Sequence, residues 1–343
     1  YYLLKIMEFK LTNEQRKYFG LDPVNENWDI VQLKGDVWIF FDNNTIKKII
    51  AIVAKSSYKE MDYDLKTNER KTLMPETAKG KEKPLTLSNI SNFKPINFSF
   101  SASLDQSTEL QKHIFPSYVS IYNPSTHRSI TVDNDENIKT FHDLSIWIEK
   151  FIATAHPTYL EEINRLKESK RVNIKYKSGD VFTFPISRTI YGFRKILFPL
   201  KILKDKKILK SDHYFTHVMT VPLLVRLYIF KSENPHIDIQ TLQKEKLLPA
   251  YFMMDNNILW GNYPIIGSSP LQDKDLDFPL GYNFSSNMLS WGLGSVRGST
   301  SPIRSGLSLG NTTVFRGAQL DILEKYFKGE EPYYECDLSN SKN

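Results

Sequence analysis

The chain has one cysteine in 343 residues, Cys336. A single thiol cannot close an intramolecular disulfide and supplies only one thiolate, which excludes a disulfide framework and a cysteine-based metal site. Long apolar runs are missing as well, since none approaches the roughly 20 residues that span a bilayer. Tyr1 to Ile6 is apolar but short, has no basic flank or small-residue cleavage site, and is followed by Met7. Residues 1–6 therefore read as an added or upstream extension rather than a signal peptide. No Gly-x-Ser-x-Gly elbow, Cys/His pairing or nucleotide-binding fingerprint occurs. These absences lead us to expect a cytoplasmic protein without membrane partner, cofactor or catalytic residues.

What the sequence does contain is ordinary for a globular protein: 41% hydrophobic and 24% charged residues. The length is enough for two domains with separate cores. Aromatic side chains, 13% of the total, suit pleated and half-buried surfaces and favour a β-rich fold. The net charge of +6 is uneven: residues 1–168 carry 22 basic and 23 acidic side chains, leaving 23 and 16 for the remainder. A basic C-terminal half suits an acidic protein or nucleic acid. It argues against an acidic inhibitor that mimics nucleic acid to block a nuclease.

Thr12 to Gly20 has capping-box spacing at Thr12 and Gln15, with Gly20 at the C-terminal end, and predicts a short helix. Asp36–Phe41 and Ile46–Val53, separated by Asp42-Asn43-Asn44, form a candidate hairpin. Further strands are expected at Tyr58–Tyr63, Arg70–Met74, Phe98–Ala102, Tyr118–Tyr122 and Ser129–Val132, with a basic loop over Lys79–Pro84. From Leu144 to Lys167 the apolar period lengthens to about 3.6, and His156-Pro157 splits the run into two helices. The polar stretch Lys167–Arg171 marks a domain boundary. After it, strands are predicted at Val172–Tyr176, Asp180–Ile186, Tyr191–Leu203 and Met219–Phe230, then a helix at Ile239–Leu247. Short strands are expected near Met253–Asp255, Ile258–Trp260 and Pro264–Ile266. Gly281 to Thr313, Gly- and Ser-rich and without an acidic residue, reads as a long flexible loop, and Gln319–Phe327 as a final helix. Gly35-Asp36-Val37-Trp38 echoes Gly179-Asp180-Val181-Phe182, but four residues do not establish a repeat.

The candidates for chemistry are weak. His213 and His217 have the i, i+4 spacing of zinc ligands, but two ligands are insufficient and the surrounding pattern reads as a loop entering a strand. Glu60, Asp62 and Asp64 alternate on a strand and could bind a cation, although such a row is more often the solvated face of a sheet. Asp273, Asp275 and Asp277 lack the length of a calcium loop. Gly292–Ser299 resembles a phosphate loop only superficially, without the Gly-Lys-Ser/Thr ending.

Three blocks between Lys175 and Tyr282 form a pattern. The first is Tyr176–Phe184 followed by Tyr191-Gly192-Phe193-Arg194-Lys195-Ile196-Leu197, and the second is Leu223-Leu224-Val225-Arg226-Leu227-Tyr228. The third comprises Leu248-Pro249, Met254-Asp255-Asn256, Trp260–Gly267, Pro270-Leu271 and Asp277-Phe278-Pro279. Together they resemble immunity protein family 26 of bacterial polymorphic toxin systems. Leu11-Thr12, Glu14-Gln15-Arg16, Tyr18–Leu21, Pro23, Trp28, Leu73-Met74-Pro75 and Lys79-Gly80-Lys81 resemble the leader of longer members. Arg194 departs from a second glycine frequent at that place in the family.

The resemblance implies an immunity protein of interbacterial competition that neutralises a cognate toxin by occluding its active site or substrate path. The expected fold is α+β with two β-rich domains. Residues 1–168 would form an N-terminal sheet with a helical pair at its end. Residues 169–335 would form a strongly bent antiparallel sheet or small barrel with flanking helices. Aromatic and arginine side chains are the commonest interface hot spots, which nominates Tyr191, Phe193, Arg194, Trp260, Tyr263, Trp291, Arg297 and Arg304 for partner binding. Phe193 and Trp260 fall on predicted strands and are the two most prone to be packing residues. Two other classes stay open. One is a metal-dependent hydrolase of phosphotriester type, a label given to some proteins resembling this family. The other is a nucleic-acid-binding module using the basic half, although nucleic acid is not the expected partner.

Overall fold

The computed structural model describes residues 7–33, 35–105, 117–133, 137–199, 201–207, 222–248, 251–272 and 275. It adds strand backbone at 280–283, 288–291, 294–297 and 303–304. His213, His217 and the predicted helix Gln319–Phe327 lie outside the described residues. The chain divides into two compact units, Tyr1–Arg171 and Val172–Asn343. The fold is α+β: among the described residues the strands form antiparallel sheets of nine, five and four strands, with few helices.

The first unit begins with α1 (Asn13–Tyr18), whose capping box joins Thr12 and Gln15 as the sequence predicts. Strands β1 (Asp29–Leu33), β2 (Asp36–Asp42), β3 (Thr45–Val53) and β4 (Ser57–Asn68) follow as successive antiparallel neighbours. The turn between β2 and β3 places Asn43 at φ 52°, a conformation Asn tolerates. Two-residue strands β5 (Thr72–Leu73) and β6 (Lys83–Pro84) extend from the end of β4, and α2 (Leu87–Ile90) follows. Strands β7 (Ser99–Ser103), β8 (Tyr118–Asn123) and β9 (Arg128–Ile130) complete the sheet in the order β1-β2-β3-β4-β7-β8-β9. The helical pair is α3 (Phe141–Ala153) and α4 (Tyr159–Glu168).

Each face of this sheet carries a hydrophobic cluster. Trp38, Phe40, Ile50, Phe100 and Val119 point toward the helices and pack with Leu144, Ile148 and Ile163. On the opposite face, Ile39, Phe41, Ile49, Met61 and Tyr63 pack beneath Leu73 and Ile90. The row Glu60-Asp62 was expected to face solvent, and here the structure differs. Both carboxylates lie on the helix-facing side and are fully enclosed, whereas Asp64 is exposed and pairs with Lys47.

What makes their burial tolerable is a set of cations built into neighbouring elements. Lys48 Nζ, from β3, lies 2.7 Å from Glu60 Oε1 and 2.5 Å from Asp62 Oδ1. Arg16, from α1, donates through Nε to Glu60 Oε1 at 2.6 Å, and the Tyr58 hydroxyl donates to Glu60 Oε2 at 2.5 Å. The backbone N–H of Asp22 donates to Asp62 Oδ2, and Asp22 itself is held by Lys167 of α4 and by Asn97. Burial alone would raise the Glu60 pKa, but Lys48 and Arg16 overcome it and the net shift is downward. For Asp62 burial outweighs Lys48, and its pKa is raised.

The second unit contains strands β10 (Asp180–Pro185) and β11 (Tyr191–Pro199), then α5 (Lys201–Asp205) and β12 (Pro222–Ser232). After these come α6 (Ile239–Leu242), β13 (Tyr251–Met254), α7 (Asn256–Leu259) and β14 (Ile265–Ser268). The sheet order is β13-β12-β11-β10-β14, so its end strands differ and it is an open sheet, not a small barrel. Val172–Tyr176 is not a strand; among the described residues its backbone bonds from Ile174 N to Leu259 O. The predicted strand at Ile258–Trp260 is the end of α7 and its cap, because Ile258 and Trp260 donate back to Asp255 and Asn256. The helix predicted over Ile239–Leu247 stops at Leu242, and Leu247 bridges to Tyr228 instead. Part of the expected loop Gly281–Thr313 is an antiparallel meander of β15 (Leu280–Asn283), β16 (Met288–Trp291), β17 (Gly294–Arg297) and β18 (Ile303–Arg304). These strands, of two to four residues and with Gly281, Ser290, Gly294 and Ser295 among them, are too short to show a period in sequence.

Replacing Lys48 by Ala leaves two enclosed carboxylates short of a cation. We expect a loss of about 3–5 kcal/mol in the first unit, read by urea denaturation. The acid limb is a second readout. Because the folded pKa of Glu60 is depressed, its contribution is complete above the ordinary carboxylate range and is lost as pH falls through the folded value. Asp62 has the opposite sign, so its raised pKa offsets part of that loss. Glu60→Gln should flatten the decline in stability on acidification relative to the parent.

Candidate partner-binding site

In the second unit, period-two alternation on β10 and β11 sorts the nominated residues onto opposite sides of the sheet. Directly paired residues share a face: Phe182 with Arg194, Phe184 with Gly192, Thr183 with Phe193 and Pro185 with Tyr191. Phe193 is completely buried and packs with Val181, Tyr228 and Leu242, and half-buried Tyr191 borders that cluster. Arg194 is 3% exposed on the other side, its guanidinium 3.8 Å from the centroid of the Phe184 ring. Neither Phe193 nor Arg194 presents its side chain at the surface, so both were misplaced as exposed contacts.

Tyr263 meets this second face from the turn between α7 and β14. Its ring is parallel to Phe182 at 6.1 Å and tilted against Phe184 at 5.9 Å, while its other side is half-exposed. Arg194, Phe184 and Tyr263 thus form one continuous stack from interior to surface. Trp260, at the cap of α7, is also half-exposed and three residues from Tyr263. Trp291, Arg297 and Arg304 fall on β16, β17 and β18.

The sequence reading missed the charged side chains that fix this sheet. Lys195 and Arg226 are direct partners across β11 and β12, and both are buried. Lys195 Nζ lies 2.6 Å from Asp275 Oδ2 and 3.1 Å from Pro270 O. Arg226 donates to the carbonyls of Leu247, Leu248 and Asp275. Together they clamp the chain on either side of β13 onto the sheet. Tyr176 donates to Asp255 Oδ2 at 2.6 Å, tying the start of the unit to α7; burial and that carboxylate push its pKa upward. The available signal was a Lys or Arg at an apolar phase inside a strand, as in Leu-Leu-Val-Arg-Leu-Tyr. Such a charge must be buried and therefore paired.

Chemically, these groups neutralise one another and hold backbone; they do not leave an acid and a base facing a common space. Among the described residues, no group of three His, Cys, Asp or Glu side chains could hold a metal ion. The sheet is built as a support with a partly aromatic surface. Residues 177–292 match the family model Imm26, Immunity protein 26. No curated protein and no solved structure matches the chain.

The matched segment covers all five strands of the second sheet and the first two of the meander. Its glycines can be read structurally. Gly179 has φ +88°, and a Cβ there would collide with the carbonyl oxygen of Ser269, whose N–H donates back to Gly179 O at 2.9 Å. A Cβ at Gly192 would lie 2.6 Å from the Phe184 ring. The Gly192 position therefore keeps open the slot in which Phe184 receives Arg194. Arg194 itself sits in mid-strand rather than in a turn, and its guanidinium belongs to the interior stack.

The echo between Gly35 and Gly179 supplies a matched test. Both precede strands with similar positive φ, but a Cβ at Gly35 meets nothing within 4 Å. Gly35→Ala should cost about 1 kcal/mol of backbone strain, and Gly179→Ala clearly more because its carbonyl neighbour must also move. Chemical denaturation of the two variants checks the difference.

Proposed function

We propose that this is an immunity protein that binds a cognate bacterial toxin and neutralises it by occluding its active site or substrate path, without catalysis of its own. The observation that carries the reading is the Imm26 match over residues 177–292. The use of the buried ionic groups as braces is in keeping with a binding scaffold. We assign the contact surface to Trp260 and Tyr263, at the cap of α7 and in the turn before β14, and to Trp291, Arg297 and Arg304 on the meander, whereas Tyr191 lies on the opposite face of the sheet against the Phe193 cluster. Phe193 and Arg194 support it from inside. Half-exposed aromatic side chains anchored on a rigid sheet suit tight binding, because little conformational freedom is lost when a partner covers them.

The test is co-expression with the toxin encoded in the adjacent reading frame. Cells producing both proteins should survive, and the purified pair should associate. Trp260→Ala combined with Tyr263→Ala should weaken association at least about tenfold, measured by calorimetry, while the unfolding transition is retained. Death of cells that produce soluble protein together with that toxin would overturn the proposal.

A further inference from the structure

The first unit has an open sheet face that neither of its hydrophobic clusters covers. On the side shared with Met61 and Tyr63, the register aligns Val53, Ser57, Ser103 and Tyr118 in one row across β3, β4, β7 and β8. The next row toward the sheet centre holds Lys59, Ser101 and Ser120, and the one after it Ser99, Tyr122 and Ser129. Val53 and Tyr118 are 55% and 48% exposed, and the intervening serines are half-buried. Farther along β2 and β3 the same face is roofed by Leu73, Ile90 and their neighbours, so among the described residues the open part is the Ser/Tyr part. The one charged side chain in these three rows is Lys59.

The margin of this face is also cationic. Ser125 Oγ donates to Pro95 O at 3.1 Å, which brings exposed Lys94 to the turn between β8 and β9. In that turn His127 Nδ1 lies 2.5 Å from the Tyr122 hydroxyl. The pKa of His127 is lowered by burial and further by the positive charges of Arg171 and Lys94. Arg171 is exposed, as is Lys59.

We infer that the open face of β4, β7 and β8, with its rim of Lys59, Lys94 and Arg171, is a second protein-docking surface that receives an acidic patch of the partner. The composition supports a protein in that role. Serine hydroxyls both donate and accept, tyrosine adds area with few rotatable bonds, and this pairing is what adaptable binding surfaces use. Charge complementarity fixes the sign, since like charge on the partner would be repelled. The inference rests on the toxin-binding reading and adds a requirement that the partner carry a negative surface.

Two variants test it in the full chain: the charge reversal Lys59→Glu/Lys94→Glu/Arg171→Glu, and the neutral truncation Tyr118→Ala. Calorimetry with the adjacent toxin should give at least tenfold weaker binding for the reversal, a flatter dependence on salt, and a smaller loss for Tyr118→Ala. Unfolding midpoints report that both variants are folded. If the parent binds the toxin and both folded variants bind within twofold of it, the docking surface is refuted while the immunity reading stands. If the parent does not bind the toxin, both fall. Tight, salt-dependent binding of a single-stranded oligonucleotide, lost in the reversal while toxin affinity is untouched, would also overturn it in favour of nucleic acid.

Discussion

Burial of charge within β-sheets is the constraint on which both units depend. A lysine on a central strand can remain charged only if a carboxylate or several carbonyls meet it in place, because isolated charge in a protein interior is costly. Lys48 is opposite Asp62 in the β3–β4 register, and Lys195 is opposite Arg226 in the β11–β12 register. A slip of one residue would turn these side chains to the other face and strand their partners. The ionic groups thus discriminate against wrong registers more than they add to the total stability, which an apolar substitute could match.

The two units meet this constraint with different means. In the first, acid and base are balanced by Arg16 and Lys48 against Glu60 and Asp62, and Lys167 reaches the cluster through Asp22. Here the charge cluster also does the work of tertiary assembly, since it draws α1, α4 and Asn97, two residues before β7, onto the two strands. In the second, Lys195 pairs with the carboxylate of Asp275, while Arg226 donates to the backbone carbonyls of Leu247, Leu248 and Asp275. Carbonyl acceptors belong to the backbone, so the cations fix the path of the chain around β13 regardless of which side chains it carries.

Legibility in the sequence followed the range of the interaction responsible. The α1 capping box, the β2–β3 hairpin and the break at His156-Pro157 are written in adjacent residues, and the corresponding elements formed as expected. At Ile258–Trp260 the apolar, aromatic composition suggested a strand, yet Asp255 and Asn256 carbonyls captured the next turn and made a helix. The fate of Glu60 and Asp62 could not be read from alternation alone, because a period of two says that they share a face without saying which face is covered. That answer lay 44 residues earlier, in Arg16.

The same reasoning explains why family blocks locate a scaffold better than a binding site. Gly179, Gly192, Lys195 and Arg226 each answer to a neighbour inside the fold, so their identities are dictated by internal geometry. A surface side chain answers to a partner, whose sequence is not part of this chain. Of the nominated residues, Phe193 and Arg194 turned out to serve the interior, and the Arg194–Phe184–Tyr263 stack links that interior to the surface. An interior substitution at position 194 can therefore retune a surface aromatic without altering any surface residue. Selection for a new partner could act on such supports as readily as on the contacts, because a half-exposed ring binds through the orientation its buried neighbours allow.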